Sequence, residues 1–191
     1  MAKDGNEVID ELATRARAGD REAFSQIVRL MMNKVIALTY RMTGEIETAR
    51  DLAQDTFLAA YEKLNTFRGE ATFTGWLYRI ATNKALNHLK SASTRSAALE
   101  DAAPQLAAQA AAAFPNPEQV TTHKLLINDI LGFMRQLPPQ QRLVFELRFY
   151  QHMPFEEIAR TVGRAEGTVK THYRQAVAKL SKYTRKKGWR S

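Results

Sequence analysis

The chain has 191 residues, 45% of them apolar, a formal net charge of +8 and no cysteine. That length and apolar share are enough for one ordinary domain or two small ones with buried cores, which excludes a disordered tail. Without cysteine there are no disulfides, zinc–thiolate sites or thiol nucleophiles, a composition that suits a reducing cytosol.

The opening MAKDGNEVIDEL carries acidic residues and no apolar h-region, and no apolar run approaches the ~18–20 residues of a membrane span. The expectation is a soluble cytoplasmic protein with no membrane insertion. His88, His123, His152 and His172 are scattered with no second histidine at i+3 or i+4, so neither a metal nor another cofactor is expected. His123 and His152 read as surface residues.

Helical periodicity runs along the chain, and no segment sustains two-residue alternation with β-branched enrichment, so the predicted fold class is all-α. A first helix covers about Glu7–Ala18. Gly19-Asp20 closes it and caps a second, which runs to about Met42 and buries Phe24, Ile27, Val28, Met31, Val35, Leu38 and Met42. Thr43-Gly44 stops that helix. A third, about Glu47–Leu64, buries Ala49, Leu52, Ala53, Thr56, Phe57, Ala60 and Leu64, and after a loop a fourth runs from Phe73 to about Ser91.

From about Ser91 to Thr121 the sequence is Ala-rich and interrupted by Pro104, Pro115 and Pro117, and it reads as a flexible linker too poor in large apolar side chains to hold a core. Helical patterning resumes at about Thr122–Gln136. Pro138-Pro139 breaks it, and Pro139 opens a helix to about Tyr150. The expected architecture is two small helical domains, 1–92 and 122–191, joined by a linker at 93–121.

Residues 153–180 read as two short helices with a tight turn between them. Phe155, Ile158, Ala159 and Val162 recur at helical spacing, Gly163 supplies the turn, and Val169, Tyr173, Ala176, Val177 and Leu180 form an apolar stripe on the helix that follows. The opposite face carries Lys170, Thr171, Arg174 and Gln175, which can donate to phosphates and base edges. Such a pair is either a core hairpin with solvated charges or a helix-turn-helix that seats its second helix in a DNA major groove. Charge favours DNA: from Lys124 onward there are 14 Lys+Arg against 5 Asp+Glu, whereas residues 1–90 hold 13 against 12.

In the fourth helix Arg79, Asn83, Asn87 and Lys90 share one polar face, which is either solvated surface or a stripe for bases and phosphates. Phe67, Phe73, Trp76 and Tyr78 cluster beside Arg68 and Arg79, and exposed rings beside cations suit base stacking with single-stranded nucleic acid. Phe73 and one edge of Trp76 are expected in the core. On the third helix Asp51, Gln54 and Asp55 lie at i, i+3 and i+4, a face either solvated or offered to a basic partner. No catalytic constellation accompanies these carboxylates, so no enzyme activity is expected.

The segments RDLAQDTFLAAYEKLNTFRGEATFTGWLYRIATNKALNHLK (Arg50–Lys90) and LPPQQRLVFELRFYQHMPFEEIARTVGRAEGTVKTHYRQAVAKL (Leu137–Leu180) resemble the second and fourth conserved regions of bacterial extracytoplasmic-function sigma factors. The resemblance implies an alternative sigma factor that binds core RNA polymerase. It implies docking of Asp51, Gln54 and Asp55 on the clamp coiled coil of the largest subunit, and a grip of the C-terminal helices on the flap tip. By the same resemblance Phe67, Arg68, Trp76, Tyr78, Arg79, Asn83, Asn87 and Lys90 would open and hold the promoter −10 element, and Lys170, Thr171, Arg174 and Gln175 would read the −35 element as duplex. It also implies an anti-sigma protein as partner. Relatives often carry a denser basic set where this chain has His172, Gln175 and Val177, so a −35 sequence preference does not transfer. The rival reading from the residues is an ordinary helix-turn-helix regulator whose N-terminal helices dimerise or sense a ligand.

Overall fold

A computed structural model describes residues 5–69, 71–98 and 132–186, and of residues 93–98 the backbone alone. The described residues are helical, with no strand among them. Helices α1 (Gly5–Arg17), α2 (Arg21–Thr43), α3 (Ile46–Glu62) and α4 (Phe73–Ala98) form an N-terminal lobe. A second lobe holds α5 (132–136), α6 (Pro139–Phe145) with a π turn at Glu146–Tyr150, α7 (Phe155–Val162) and α8 (Glu166–Lys186).

The helix ends follow local chemistry. Asp20 accepts the Ala23 amide at 3.0 Å and pairs with Arg15 at 2.6 Å, so α2 starts with its first turn capped. Gly44 ends α2 at φ 83°, and its N–H donates to the Tyr40 carbonyl. The Ala23 amide, with the Arg15 guanidinium beside it, holds the Asp20 carboxyl below its ordinary range. A carboxylate whose pKa is lower in the folded state adds stability above its unfolded value and loses it as pH falls through the folded one. Asp20→Ala is therefore expected to lower the melting temperature at neutral pH, with the gap to wild type closing as melting curves are taken into acid.

α4 extends to Ala98, beyond the predicted end near Ser91 and into the stretch read as linker. Alanine at 92, 97 and 98 has the highest intrinsic helix propensity, which favours the extension. The rest of the expected linker, the predicted helical start near Thr122 and His123 lie outside the described residues. The predicted helix from Pro139 to Tyr150 divides after Phe145, where the π turn aligns Glu146 and Gln151 so that the Gln151 amide reaches the Glu146 carboxylate at 3.0 Å. α8 runs from Glu166 to Lys186, beyond the 153–180 span in which the helix pair was expected.

Ile27, Met31, Val35, Leu38, Phe73 and Leu77 are buried at the centre of the N-terminal lobe, as helical spacing predicts for the α2 positions. That core does not stop at the lobe boundary. Leu143, Val144, Leu147, Ile158 and Val169 of the second lobe belong to the same continuous cluster, and a smaller one of Phe133, Met134, Leu137, Phe145 and Ala176 lies within the second lobe. Val177, predicted on the buried stripe of α8, is 40% exposed. At about 100° per residue it sits at the stripe's edge next to Lys170, while Val169 and Ala176 occupy the centre.

Candidate nucleic-acid and partner interfaces

α7 and α8 form the helix-turn-helix. Gly163 turns the chain at φ 65°, its N–H donating to Ala159, and buried Val169 and Ala176 seat α8 against α6 and α7. Phe155 packs edge-on against Tyr173, which stacks on Phe145, so rings clamp the inner side of α8. This rigid seating leaves Lys170, Thr171, Arg174 and Gln175 exposed on the outer side, as their spacing predicts. Glu166 steadies Lys170 at 2.6 Å, Thr171 donates to the Gly167 carbonyl, and the Gln175 side-chain oxygen accepts from Gln141 at 2.7 Å. The free donors of Arg174 and the Gln175 amide thus project from a fixed scaffold, the arrangement a groove-reading helix needs.

On α4, Arg79, Asn83, Asn87 and Lys90 are all exposed along one stripe. The aromatic cluster divides. Phe67 and Tyr78, grouped from sequence among rings offered for stacking, are 6% and 2% exposed and belong to the core. Phe67 packs edge-on against Phe73 and at a tilt against Trp76, because the 3-10 turn Leu64–Thr66 folds the loop back onto α4. Tyr78 faces the second lobe, where its hydroxyl donates to Gln151 at 2.6 Å, and burial pushes its phenol well above the ordinary range. Trp76 is the ring left partly open. With Arg68, Arg79 and, from α7, Arg160, it lines a half-open cleft of about 390 Å³, a size that accommodates one planar base with its phosphate.

On α3, Asp51, Gln54 and Asp55 are exposed, with Asp55 3.8 Å from Lys84. Leu58, one turn further along the same face, is 63% exposed, a residue that the sequence reading passed over. The signal was there, since an apolar residue at i+3 from Asp55 falls outside the buried spacing of Leu52, Thr56 and Phe57. Leu58 thus adds an exposed apolar side chain to the face that carries Asp51, Gln54 and Asp55. Among the described residues no cluster of His and acidic side chains could hold a metal ion, and no helix is long and apolar enough to cross a membrane.

Sequence reasoning also missed the side chains that join the lobes. Arg41 of α2 makes a bidentate pair with Glu146, 2.5 Å and 2.6 Å, and lies 4.2 Å over the Tyr150 ring. Glu146 is fully buried. Burial holds its carboxyl above the usual carboxylate range against the opposing pull of Arg41 and Gln151. Arg142 donates to the Met42 carbonyl and Arg135 to the Gly44 carbonyl at 3.1 Å, placing two guanidinium groups on the negative end of α2. Glu157 accepts from Thr72 at 2.5 Å at the opposite kind of helix end, the start of α4. Charges at i, i+4 inside the apolar run RLVFE were the available signal for Arg142 and Glu146.

The comparisons agree with this anatomy. Residues 27–95 match Sigma-70 region 2, and residues 127–180 match Sigma-70, region 4. The RNA polymerase sigma-H factor of Pseudomonas aeruginosa is 31% identical over 90% of this chain and 91% of its own length. The ECF RNA polymerase sigma factor SigW of Bacillus subtilis is 29% identical over 93% of this chain and 97% of its own. The ECF RNA polymerase sigma-E factor of Escherichia coli is 31% identical over 84% and 85%. Among solved structures, the sigma factor RpoE in complex with the anti-sigma factor NepR from Bartonella quintana superposes with a TM-score of 0.70 at 20% identity, over 85% of this chain and 96% of that one. CnrH in complex with the cytosolic domain of CnrY gives 0.67 at 24%, over 91% and 95%, so the fold is shared. Two helical lobes with these regions in this order define a sigma-type factor for promoter-specific transcription initiation. The chain belongs to the ECF RNA polymerase sigma factors.

Proposed function

We propose that the two lobes divide promoter recognition, α8 reading the −35 element as duplex and the α4 stripe with the Trp76 cleft capturing unpaired −10 bases, while the α3 face docks on core RNA polymerase. The observation that carries this reading is the coexistence of two separate donor-rich faces with one acidic, Leu58-centred face on a single chain. Lys170, Thr171, Arg174 and Gln175 form the first face. Arg68, Trp76, Arg79, Asn83, Asn87 and Lys90 form the second, with Phe67 and Tyr78 shaping it from beneath. Asp51, Gln54 and Asp55 surround Leu58 on the third, opposite the clamp coiled coil, and the second lobe grips the flap tip. The polymerase supplies all the chemistry, and this chain contributes none of its own. An anti-sigma protein that covers the polymerase-facing surfaces completes the set of partners, and the working compartment is the cytoplasm.

Stacking a base against an aromatic ring contributes ~1–3 kcal/mol, comparable to the few kcal/mol of unpairing, so melting needs several of these contacts at once. Run-off transcription with purified core enzyme on a promoter library tests the assignment: start sites used only when this chain is added support it, and no start site at any promoter overturns it. At promoters so identified, Arg174→Ala is expected to weaken promoter binding by ~1–3 kcal/mol and relax preference at one −35 position. Lys170→Ala is expected to weaken binding evenly across sequences and to lower the salt slope by about one. Titrations at several salt concentrations separate the two outcomes.

A further inference from the structure

The start of α4 is held by side chains from outside its own helix. The first four N–H groups of a helix have no intrahelical acceptor. At α4 Thr72 serves one of them: its hydroxyl oxygen accepts the Gly75 amide at 3.1 Å while its proton goes to Glu157. The Phe73 amide is served from α1, donating to the Asp10 carboxylate at 2.6 Å across 63 positions of chain. One turn earlier on α1, the Asn6 side-chain oxygen accepts the Thr74 hydroxyl at 3.1 Å. Ile9, Leu12 and Ala13 of α1 share the core with Phe73 and Leu77, so half-buried Asp10 reaches α4 from a fixed base. α1 lies wholly outside residues 27–95, the part that matches region 2.

The turn fixed in this way carries one wall of the cleft. The Trp76 amide donates to the Thr72 carbonyl at 3.1 Å, closing the first turn of α4, and Phe67 packs on both Phe73 and Trp76. If that turn opens, the ring that lines the cleft with Arg68 and Arg79 loses its place. Helix ends are where opening costs least, and a carboxylate at this end also meets the positive pole of the helix dipole. We infer that Asp10 is a positioning residue for the −10 face: through the Phe73 amide it keeps the first turn of α4 closed and holds Trp76 where an unpaired base can stack. This inference rests on the proposed role of α4 in capturing −10 bases.

In the full-length chain Asp10→Ala is expected to speed amide hydrogen exchange at Trp76, read by NMR, about fivefold, the usual effect of replacing a helix cap by alanine. With purified core enzyme it is expected to slow −10 melting, followed by permanganate footprinting, about two- to fivefold, because apparent affinity falls with the fraction of chains whose first turn is closed. Affinity for core enzyme and for duplex −35 DNA is expected to stay at the wild-type level. Asp10→Asn keeps an acceptor oxygen in place, and asparagine caps as well as aspartate, so both readouts are expected to return to wild type. Asp20→Ala is the matched control: it removes a cap from α2 in the same lobe, away from α4, and is expected to leave −10 melting unchanged. Faster exchange with melting at the wild-type rate overturns the positioning role and leaves Asp10 a structural cap, while unchanged exchange overturns the cap itself. Equal slowing by Asp20→Ala assigns the loss to general destabilisation and overturns positioning as well. If Asn83→Ala with Asn87→Ala leaves melting intact, the α4 reading itself fails and positioning falls with it.

Discussion

Reversing charge at Asp51 and Asp55 together, as Asp51→Lys and Asp55→Lys, is expected to reduce affinity for core RNA polymerase by about a thousandfold. Both carboxylates are exposed on one turn of α3, flanking Gln54 and preceding exposed Leu58. If a basic surface sits opposite, each reversal turns an attraction into a like-charge contact, and close interfacial charge pairs couple by ~1.5–7 kcal/mol. About 4 kcal/mol over the two positions gives the thousandfold loss. The cost to folding is small by comparison, because the Asp55–Lys84 pair is 3.8 Å long and exposed at the carboxylate. Co-purification and competition against a second sigma factor measure the affinity, with a melting curve as control. Normal assembly with core would remove the α3 face from the docking surface. Leu58→Ala should act in the same direction with a smaller effect, by removing the apolar centre around which the acids are arranged.

The second large effect belongs to α4. Asn83→Ala with Asn87→Ala removes two amides, each able to donate and accept at a base edge, from a helix whose stability does not depend on them. Both are exposed, and asparagine is a poorer helix former than alanine, so the helix itself gains slightly. About 1 kcal/mol for each lost hydrogen bond gives ~2 kcal/mol together, roughly a 30-fold slower formation of open complex, with binding to core unchanged. Permanganate footprinting of promoter melting reads the first quantity and core titration the second. Melting at the wild-type rate would mean that the stripe is solvated surface.

These two expectations draw on faces that were already legible from spacing, and the same holds for most helix boundaries. Gly19-Asp20, Thr43-Gly44 and Gly163 announce their helix ends because caps and left-handed turns are made by adjacent residues. Outward faces of α3 and α8 follow from a period of 3.6, since a buried stripe and its opposite are related by backbone geometry alone. The aromatic cluster was less readable. Phe67, Tyr78 and Trp76 have similar composition and neighbourhood, and only the fold-back of the Leu64–Thr66 turn and the approach of Gln151 bury the first two and leave the third partly open.

What the residues determined without the fold was the inventory: helices, their caps, a basic C-terminal half, two donor-rich faces and an acidic one. Each depends on neighbours within a few positions, where the chain's own geometry dictates who meets whom. Tertiary structure alone decided that the lobes share a core and that Arg41 meets Glu146, 105 positions away. No periodicity encodes such a pairing, because its free energy comes from burial and charge complementarity between surfaces that become neighbours only after both lobes exist.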